Sequence, residues 1–324
     1  MNKKSLRILF MGTPAFAVES LKALVENGYN IAGVVTMPDK PAGRGYRLQF
    51  SPVKQYALQR GLTVLQPEKL RDEGFLENLN RLKADLQIVV AFRMLPEAVW
   101  SMPPLGTFNL HASLLPQYRG AAPINRAIMN GERETGVTTF FLSHEIDTGE
   151  VLFRERTPIS DMDNAETLHD RLMVMGAQLV IRTVEAISKG SVSPVSQDEL
   201  SEGDGILKLA PKIFGNDCRI DWSRPVREVY NLVRGLSPYP AAWTELSSGG
   251  EGERIRFKLF AGEPLGAVHS LSPGCISTDN KTYLHVAAKD GFLRIRELRQ
   301  TGKRRLCVPD FLNGFSFPDG AHFR

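Results

Sequence analysis

The tightest constraint on the fold is an apolar run with almost no polar side: Leu86-Gln-Ile-Val-Val-Ala91. A strand of this kind is buried on both faces, and such burial occurs almost only in parallel sheets covered by helices. The start of the chain fits the same architecture. Leu6 to Met11 reads as a short apolar strand, Val18, Leu21, Leu24 and Val25 recur at helical spacing, and Ile31 to Thr36 reads as the next strand. Thr13 is positioned to cap the helix, Pro14 to occupy its first turn and Gly28 to end it. A strand–helix–strand opening implies an α/β, Rossmann-like, doubly wound and mostly parallel sheet. The turn after the first strand is not Gly-x-Gly-x-x-Gly, which counts against a dinucleotide site.

Further elements follow in order. Pro52 to Arg60 reads as a helix, Leu62 to Leu65 as a short strand and Pro67 to Lys83 as a second helical region. Thr107 to His111 reads as a strand, Pro123 to Met129 as a short helix, and Val137 to Leu142 with Val151 to Thr157 as a strand pair. Ala165 to Lys189 carries helical spacing at Leu168, Leu172, Ala177, Leu179, Val180 and Val184. Residues 191–211 are polar, lack a core segment and read as a linker. Beyond them the texture changes. A helical stretch, Val226 to Gly235, precedes short alternating segments at Arg254–Phe260, Tyr283–Ala287 and Phe292–Leu298, punctuated by Gly and Pro. That pattern suits a small antiparallel barrel. A chain of 324 residues is long enough for two cores, so the expected division is a first domain at 1–190, the linker at 191–211 and a barrel domain at 212–324.

Charge is uneven. Residues 212–324 hold 17 Lys+Arg against 12 Asp+Glu, whereas the remainder is nearly neutral at 23 against 24. A basic second part suits a nucleic-acid contact, with a solvated cationic surface as the alternative. No apolar run approaches the roughly 18 residues of a membrane span, and no signal-peptide pattern precedes the first strand, so a cytoplasmic protein is expected. Cys218, Cys275 and Cys307 are far apart and odd in number, which argues for reduced thiols packed as small apolar groups and against a zinc site.

The chemistry concentrates in Asn109-Leu-His-Ala-Ser-Leu-Leu-Pro-Gln-Tyr-Arg-Gly-Ala-Ala-Pro123. Side chains two apart on a strand share a face, so Asn109 and His111 stand together at a strand's carboxyl end, where open α/β sheets bind ligands. An amide donor beside a titratable ring suits a reaction in which a carbonyl oxygen becomes an oxyanion. Asp147, in the glycine-closed loop Ser143–Gly149, is the natural third member, unless it closes an Asx-turn with Gly149. His144, which sits on the approach to that turn and not in it, reads as a residue outside the chemistry. Ser113 lacks a Gly-x-Ser-x-Gly elbow, and no His-Glu-x-x-His or Walker pattern is present. A second feature is the long loop from Met37 to Ser51, which sets Lys40, Arg44 and Arg47 on a frame of two prolines and two glycines. Spaced cations on such a frame suit phosphates or base edges, and a mobile surface loop is the plain alternative.

The 109–123 run, followed by Asp147-Thr-Gly149, resembles the signature of the folate-dependent formyltransferases. Phe10-Met-Gly-Thr-Pro-Ala-Phe16, Pro38-Asp-Lys-Pro-Ala-Gly-Arg-Gly45 and Arg219-Ile-Asp-Trp222 extend the resemblance over essentially the whole length. It is closest to the members that act on initiator methionyl-tRNA. The resemblance implies a formyltransferase fold followed by an OB-like barrel. It also implies a formyl group passed from 10-formyltetrahydrofolate to the α-amino group of methionine on initiator tRNA. Asn109 and His111 would stabilise the oxyanion and Asp147 would orient His111. Ser113, Leu114, Leu115 and Pro116 would line the folate site, with Phe92, Arg93, Met94, Leu95 and the Asp147 loop around the pterin. Arg93 stands where the family often has glycine. Arg44 would read the acceptor stem near its end base pair, with Lys40 and Arg47 on phosphates. A monomer without a metal is expected. Two other readings stay open: a formyltransferase acting on a UDP-amino-sugar, and an RNA-binding protein built on a degenerate enzyme fold.

Overall fold

The computed structural model describes residues 2–42, 47–200, 206–247 and 255–324. The chain divides into two compact units. The first comprises Met1–Gly120, Thr135–Thr157 and His169–Ala210, and the second Ala121–Glu134, Pro158–Leu168 and Pro211–Arg324.

In the first unit β1 (Arg7–Gly12), α1 (Ala15–Glu26) and β2 (Asn30–Val35) form the expected opening. The helix begins one residue later than its sequence suggests. Pro14 is the N-cap, with extended backbone, and no side chain caps the helix; Thr13 Oγ1 is buried without a partner. The 37–51 loop is not wholly irregular, because β3 (Lys40–Ala42) and β4 (Arg47–Gln49) pair antiparallel within it. Its base is pinned. Lys54 pairs with Asp39, Gln66 Nε2 donates to Asp39 Oδ1 at 2.9 Å, and the hydroxyls of Thr36 and Ser51 meet at 2.8 Å. The hydrogen bond from Lys54 holds the Asp39 carboxyl below its ordinary value.

Next come α2 (Pro52–Gln59), β5 (Val64–Leu65), α3 (Glu73–Arg81), β6 (Leu86–Val90), α4 (Glu97–Trp100) and β7 (Thr107–His111). The predicted helix at 67–83 is confined to its second half, because Asp72 accepts the Phe75 N–H at 2.9 Å and starts the helix there. α5 (Pro123–Met129) belongs to the second unit. β8 (Glu134–Phe141), β9 (Val151–Pro158) and α6 (Ala165–Lys189) follow. The sheet order is β5-β2-β1-β6-β7-β8-β9. β5, β2, β1, β6 and β7 run parallel, and β7 pairs antiparallel with β8. Every residue of β6 is buried, as its apolar run requires. Leu9, Met11, Val35 and Val89 pack with Phe75, Leu79 and Leu95 on one side of the sheet.

The second unit adds α7 (Val226–Leu236) to α5, joined by the Asn125 amide donating to Gly235 O at 2.7 Å. Arg234, 5% exposed, donates to the carbonyls of Ser160 and Asp163 and to Asn231 Oδ1, so a buried cation is satisfied largely by neutral oxygens. The barrel strands are β10 (Ala242–Ser247), β11 (Ile255–Leu265), β12 (Ile276–Thr278), β13 (Leu284–Ala287), β14 (Phe292–Gln300) and β15 (Leu306–Cys307). α8 (Val308–Leu312) and β16 (His322–Phe323) complete the unit. The order β12-β13-β14-β11-β10-β16, with a Cys275–His322 bridge between its two ends, makes a nearly closed antiparallel barrel. Phe257 forms its centre against Phe311, Phe317 and Phe323. All three cysteines are free thiols. Cys218 is buried as expected, but Cys307 is exposed, at the turn into α8. No helix among the described residues is long and apolar enough to cross a membrane.

Candidate active site

The parallel register sets the carboxyl ends of β1, β6 and β7 level. Gly12 pairs with Val90 and Val90 with Leu110, so His111 stands one residue beyond the edge. The Thr13–Pro14 turn, the loop from Ala91 and the loop from Ala112 all leave from this edge. Asn109 and His111 share a face of β7. The Asn109 side chain is half-buried and makes no hydrogen bond within the described residues. His111 is 6% exposed, and its Nε2 donates to Tyr118 O at 2.8 Å, because a carbonyl can only accept. Its other nitrogen, Nδ1, faces Asp147 Oδ2 at 3.7 Å.

Asp147 does not close an Asx-turn on Gly149. Its Oδ2 accepts the backbone N–H of Gly120 at 2.9 Å, and its φ of +56° is left-handed, unusual for a residue other than glycine. Around it Ser143 Oγ and Thr148 Oγ1 meet at 2.9 Å, and Gly149 passes so close to β8 that a Cβ there would lie 1.7 Å from Phe141 O. Gly120 has φ +125°, and a Cβ on it would strike Ala210 O at 2.5 Å, so glycine is required at the residue that hooks the carboxylate. His144 stays outside this cluster, largely exposed, edge-on to Trp100.

The remaining predicted residues divide into two kinds. Ser113, Leu115 and Pro116 are buried. Ser113 Oγ donates to Gln117 O at 2.6 Å, its carbonyl accepts from Thr138 Oγ1, and Leu115 lends its N–H to Thr138 Oγ1 and its carbonyl to Arg154. These residues shape the loop through its backbone. Leu114 and Phe92 are half-buried, and Met94 is 68% exposed. Leu95 belongs to the core beside Leu70 and Val99. Arg93 turns away: Nη1 donates to Glu68 O at 2.7 Å and Nη2 to Pro67 O, and desolvation pushes its guanidinium below its ordinary value. Lys40 is exposed on the β3–β4 hairpin, Arg47 contributes backbone to β4, and Arg44 lies outside the described residues.

Two residues stand out that sequence reading did not single out. Gln197, in the polar stretch after α6, is 3% exposed and contacts the backbone of the Asp147 loop, and Arg119 contacts Gln197. Arg119 carried a signal, since it lies within the 109–123 run; Gln197 stands in a stretch with no periodicity.

Residues 6–184 match the family model described as Formyl transferase, and residues 212–316 the model described as Formyl transferase, C-terminal domain. A methionyl-tRNA formyltransferase of Bacteroides fragilis is 61% identical over 315 residues, 97% of each chain. One of Flavobacterium johnsoniae is 48% identical over 318 residues, 98% of this chain and 99% of its own. Two solved structures share the fold at lower identity. An N-formyltransferase from Helicobacter canadensis, in complex with folinic acid and dTDP-3-aminofucose, has a TM-score of 0.65 at 19% identity, covering 93% of this chain and 100% of its own. HypX from Aquifex aeolicus, in complex with tetrahydrofolic acid, has a TM-score of 0.62 at 20% identity, covering 98% of this chain and 51% of its own.

Proposed function

Because the chain belongs to the methionyl-tRNA formyltransferase family, we propose that it moves the formyl group of 10-formyltetrahydrofolate to the α-amino group of methionine on initiator tRNA, using Asn109, His111 and Asp147. The observation that carries this reading is the Asn109 amide, unpartnered within the described residues, on the same strand face as His111, with the Asp147 carboxylate 3.7 Å from the ring.

A free α-amino group has a pKa near 8, and an ester neighbour lowers it, so a useful fraction is neutral at pH 7. That nitrogen attacks the formyl carbon, and the carbonyl oxygen takes up the charge. Asn109 is the donor open to this oxygen. His111, if protonated, would add stabilising positive charge beside this oxygen. As the tetrahedral intermediate collapses, the bond from carbon to N10 breaks. The proton of the amine passes to N10, with Asp147 and His111 assisting through water. The products are the formamide and tetrahydrofolate, and no bond to the protein is needed.

For the donor, Phe92, Met94 and Leu114 offer apolar surface. Ser113, Leu115 and Pro116 would shape the pocket through the backbone, while Arg93 and Leu95 brace the loop from Ala91 beneath it. For the acceptor, Arg44 would read the end of the stem, with Lys40 and Arg47 on phosphates. The basic residues of the second unit would add affinity that does not depend on sequence. The test is the initial rate of formylation with methionyl-tRNA against a UDP-amino-sugar. Turnover of the tRNA is expected; activity with the sugar alone overturns the reading, and tRNA binding with no turnover of either would leave a binding protein on an enzyme fold.

A further inference from the structure

We infer that Gln197 is a positioning residue for formyl transfer, acting through Asp147; the inference rests on the role proposed above for that carboxylate. The amide of Gln197 is used at both ends. Nε2 donates to Asp147 O at 2.9 Å and to Gly149 O at 2.8 Å. Oε1 accepts from Nε and Nη2 of Arg119 at 2.9 and 2.7 Å. A guanidinium only donates, so Arg119 fixes which end of the amide is oxygen, and the amide hydrogens must face the two carbonyls that flank Thr148.

The loop needs this hold. It leaves β8 at Leu142, whose N–H donates to Thr107 O at 2.8 Å, at the amino end of β7. His111 is four residues further along that strand, about 13 Å at the usual rise. Asp147 must cross this span and arrive left-handed, a conformation that persists only where surrounding structure over-determines it. Gln197 ties the backbone on both sides of Thr148, and Gly120 ties the carboxylate. The Gly120 side is fixed from the same stretch of chain: Tyr118 N–H donates to Lys208 O at 2.6 Å and Ala210 N–H to Arg119 O at 2.8 Å. Val195 and Val151 also exchange backbone hydrogen bonds of 2.8 and 2.9 Å. The Arg119–Gln197 pair thus joins the loop that holds the imidazole to the loop that delivers the carboxylate. Neither side chain needs to touch a substrate.

The experiment compares single-turnover formylation and steady-state constants for wild type, Gln197→Ala, Gln197→Glu, Asp147→Asn and the Gln197→Ala/Asp147→Asn double variant. Gln197→Ala is expected to lower kcat roughly 10- to 100-fold, the scale of a misplaced catalytic group, with both KM values within about threefold. Gln197→Glu should lose as much, because a carboxylate keeps Arg119 but cannot donate to two carbonyls. In the Asp147→Asn background, Gln197→Ala should cost less than about threefold more, since residues acting through one another are not additive. An undiminished loss in that background, wild-type kcat in Gln197→Glu, or a rate loss that merely tracks the folded fraction overturns the inference. If Asp147→Asn keeps the wild-type rate, the functional reading itself fails, whatever Gln197 does; if Asp147→Asn is impaired and Gln197→Ala is not, the inference alone fails.

Discussion

Asp147 Oδ2 lies 2.9 Å from the backbone nitrogen of Gly120 but 3.7 Å from Nδ1 of His111. The carboxylate is therefore hydrogen-bonded to the main chain and only at ion-pair distance from the ring. The ring in turn takes its orientation from Tyr118 O, at 2.8 Å on its far side. Imidazole and carboxylate are thus both anchored on the backbone of Tyr118 and Gly120, two residues apart, and not hydrogen-bonded to each other; such contacts commonly tighten when substrate binds.

His111→Ala is expected to lower single-turnover formylation by roughly 10²- to 10⁴-fold, the usual range for a proton-transferring group. Affinity for methionyl-tRNA, read by filter binding, should stay within about threefold, because the ring is buried at the strand edge. Formylation at the wild-type rate would remove His111 from the reaction.

Asn109→Ala removes an amide with no partner within the described residues, so its cost should fall on the transition state and not on the fold. A loss of roughly 10²- to 10³-fold in kcat is expected, the scale of one oxyanion donor. Thermal denaturation should change little. A large fall in Tm with intact kcat would mean that the amide is structural.

How much of the fold and site is legible in the sequence varies with the signal. Ala165–Lys189 can be read because apolar residues recur at helical spacing from Leu168 to Val184, and Thr107–His111 because alternation marks a strand. The helix at 67–83 cannot, since Leu70 is buried without being helical and mimics the periodicity. Thr13 has the chemistry of a cap, but Pro14 takes the N-cap position. Asn109, His111 and Asp147 are visible as residue types at meaningful positions. Gln197 is not, because its partners are backbone carbonyls some fifty residues away, and no local pattern encodes them.

Arg44→Ala should reduce kcat/KM for methionyl-tRNA roughly 10- to 100-fold, the scale of one base-reading contact, and leave KM for the folate unchanged. The hairpin strands that flank it stand on the Asp39–Lys54–Gln66 cluster, so the substitution should not disturb the loop's base. A collapse of folate affinity in its place would assign the loop to the donor site.

His285 supplies a pH dependence. Its Nε2 is buried without a partner among the described residues, its ring packs tilted against Tyr283 with centroids 4.7 Å apart, and burial, with Arg294 and Arg296 nearby, pushes its imidazole below the ordinary histidine value. The unfolded chain then holds the proton more tightly than the folded one. The stability contribution is complete above the unfolded value near 6.5, falls as pH drops through it, and levels off below the folded value. Tm should therefore decrease from pH 7.5 to 5.5, and His285→Gln should shrink that decrease. Part of it should remain, because His322 is shifted the same way by burial and Arg324. An unaltered decrease in the variant would clear His285 of the effect.

The loop that brings Asp147 to His111 works as a ruler. Its start is fixed where Leu142 meets Thr107, and its end where Gly149 is wedged against Phe141. Between these points His144, Glu145 and Ile146 are exposed, so their side chains are open to drift. The number of links is not: one residue spans at most about 3.6 Å, more than the whole tolerance of the bond to Gly120. What evolution can rewrite in this loop is its spelling, and what it must conserve is its length.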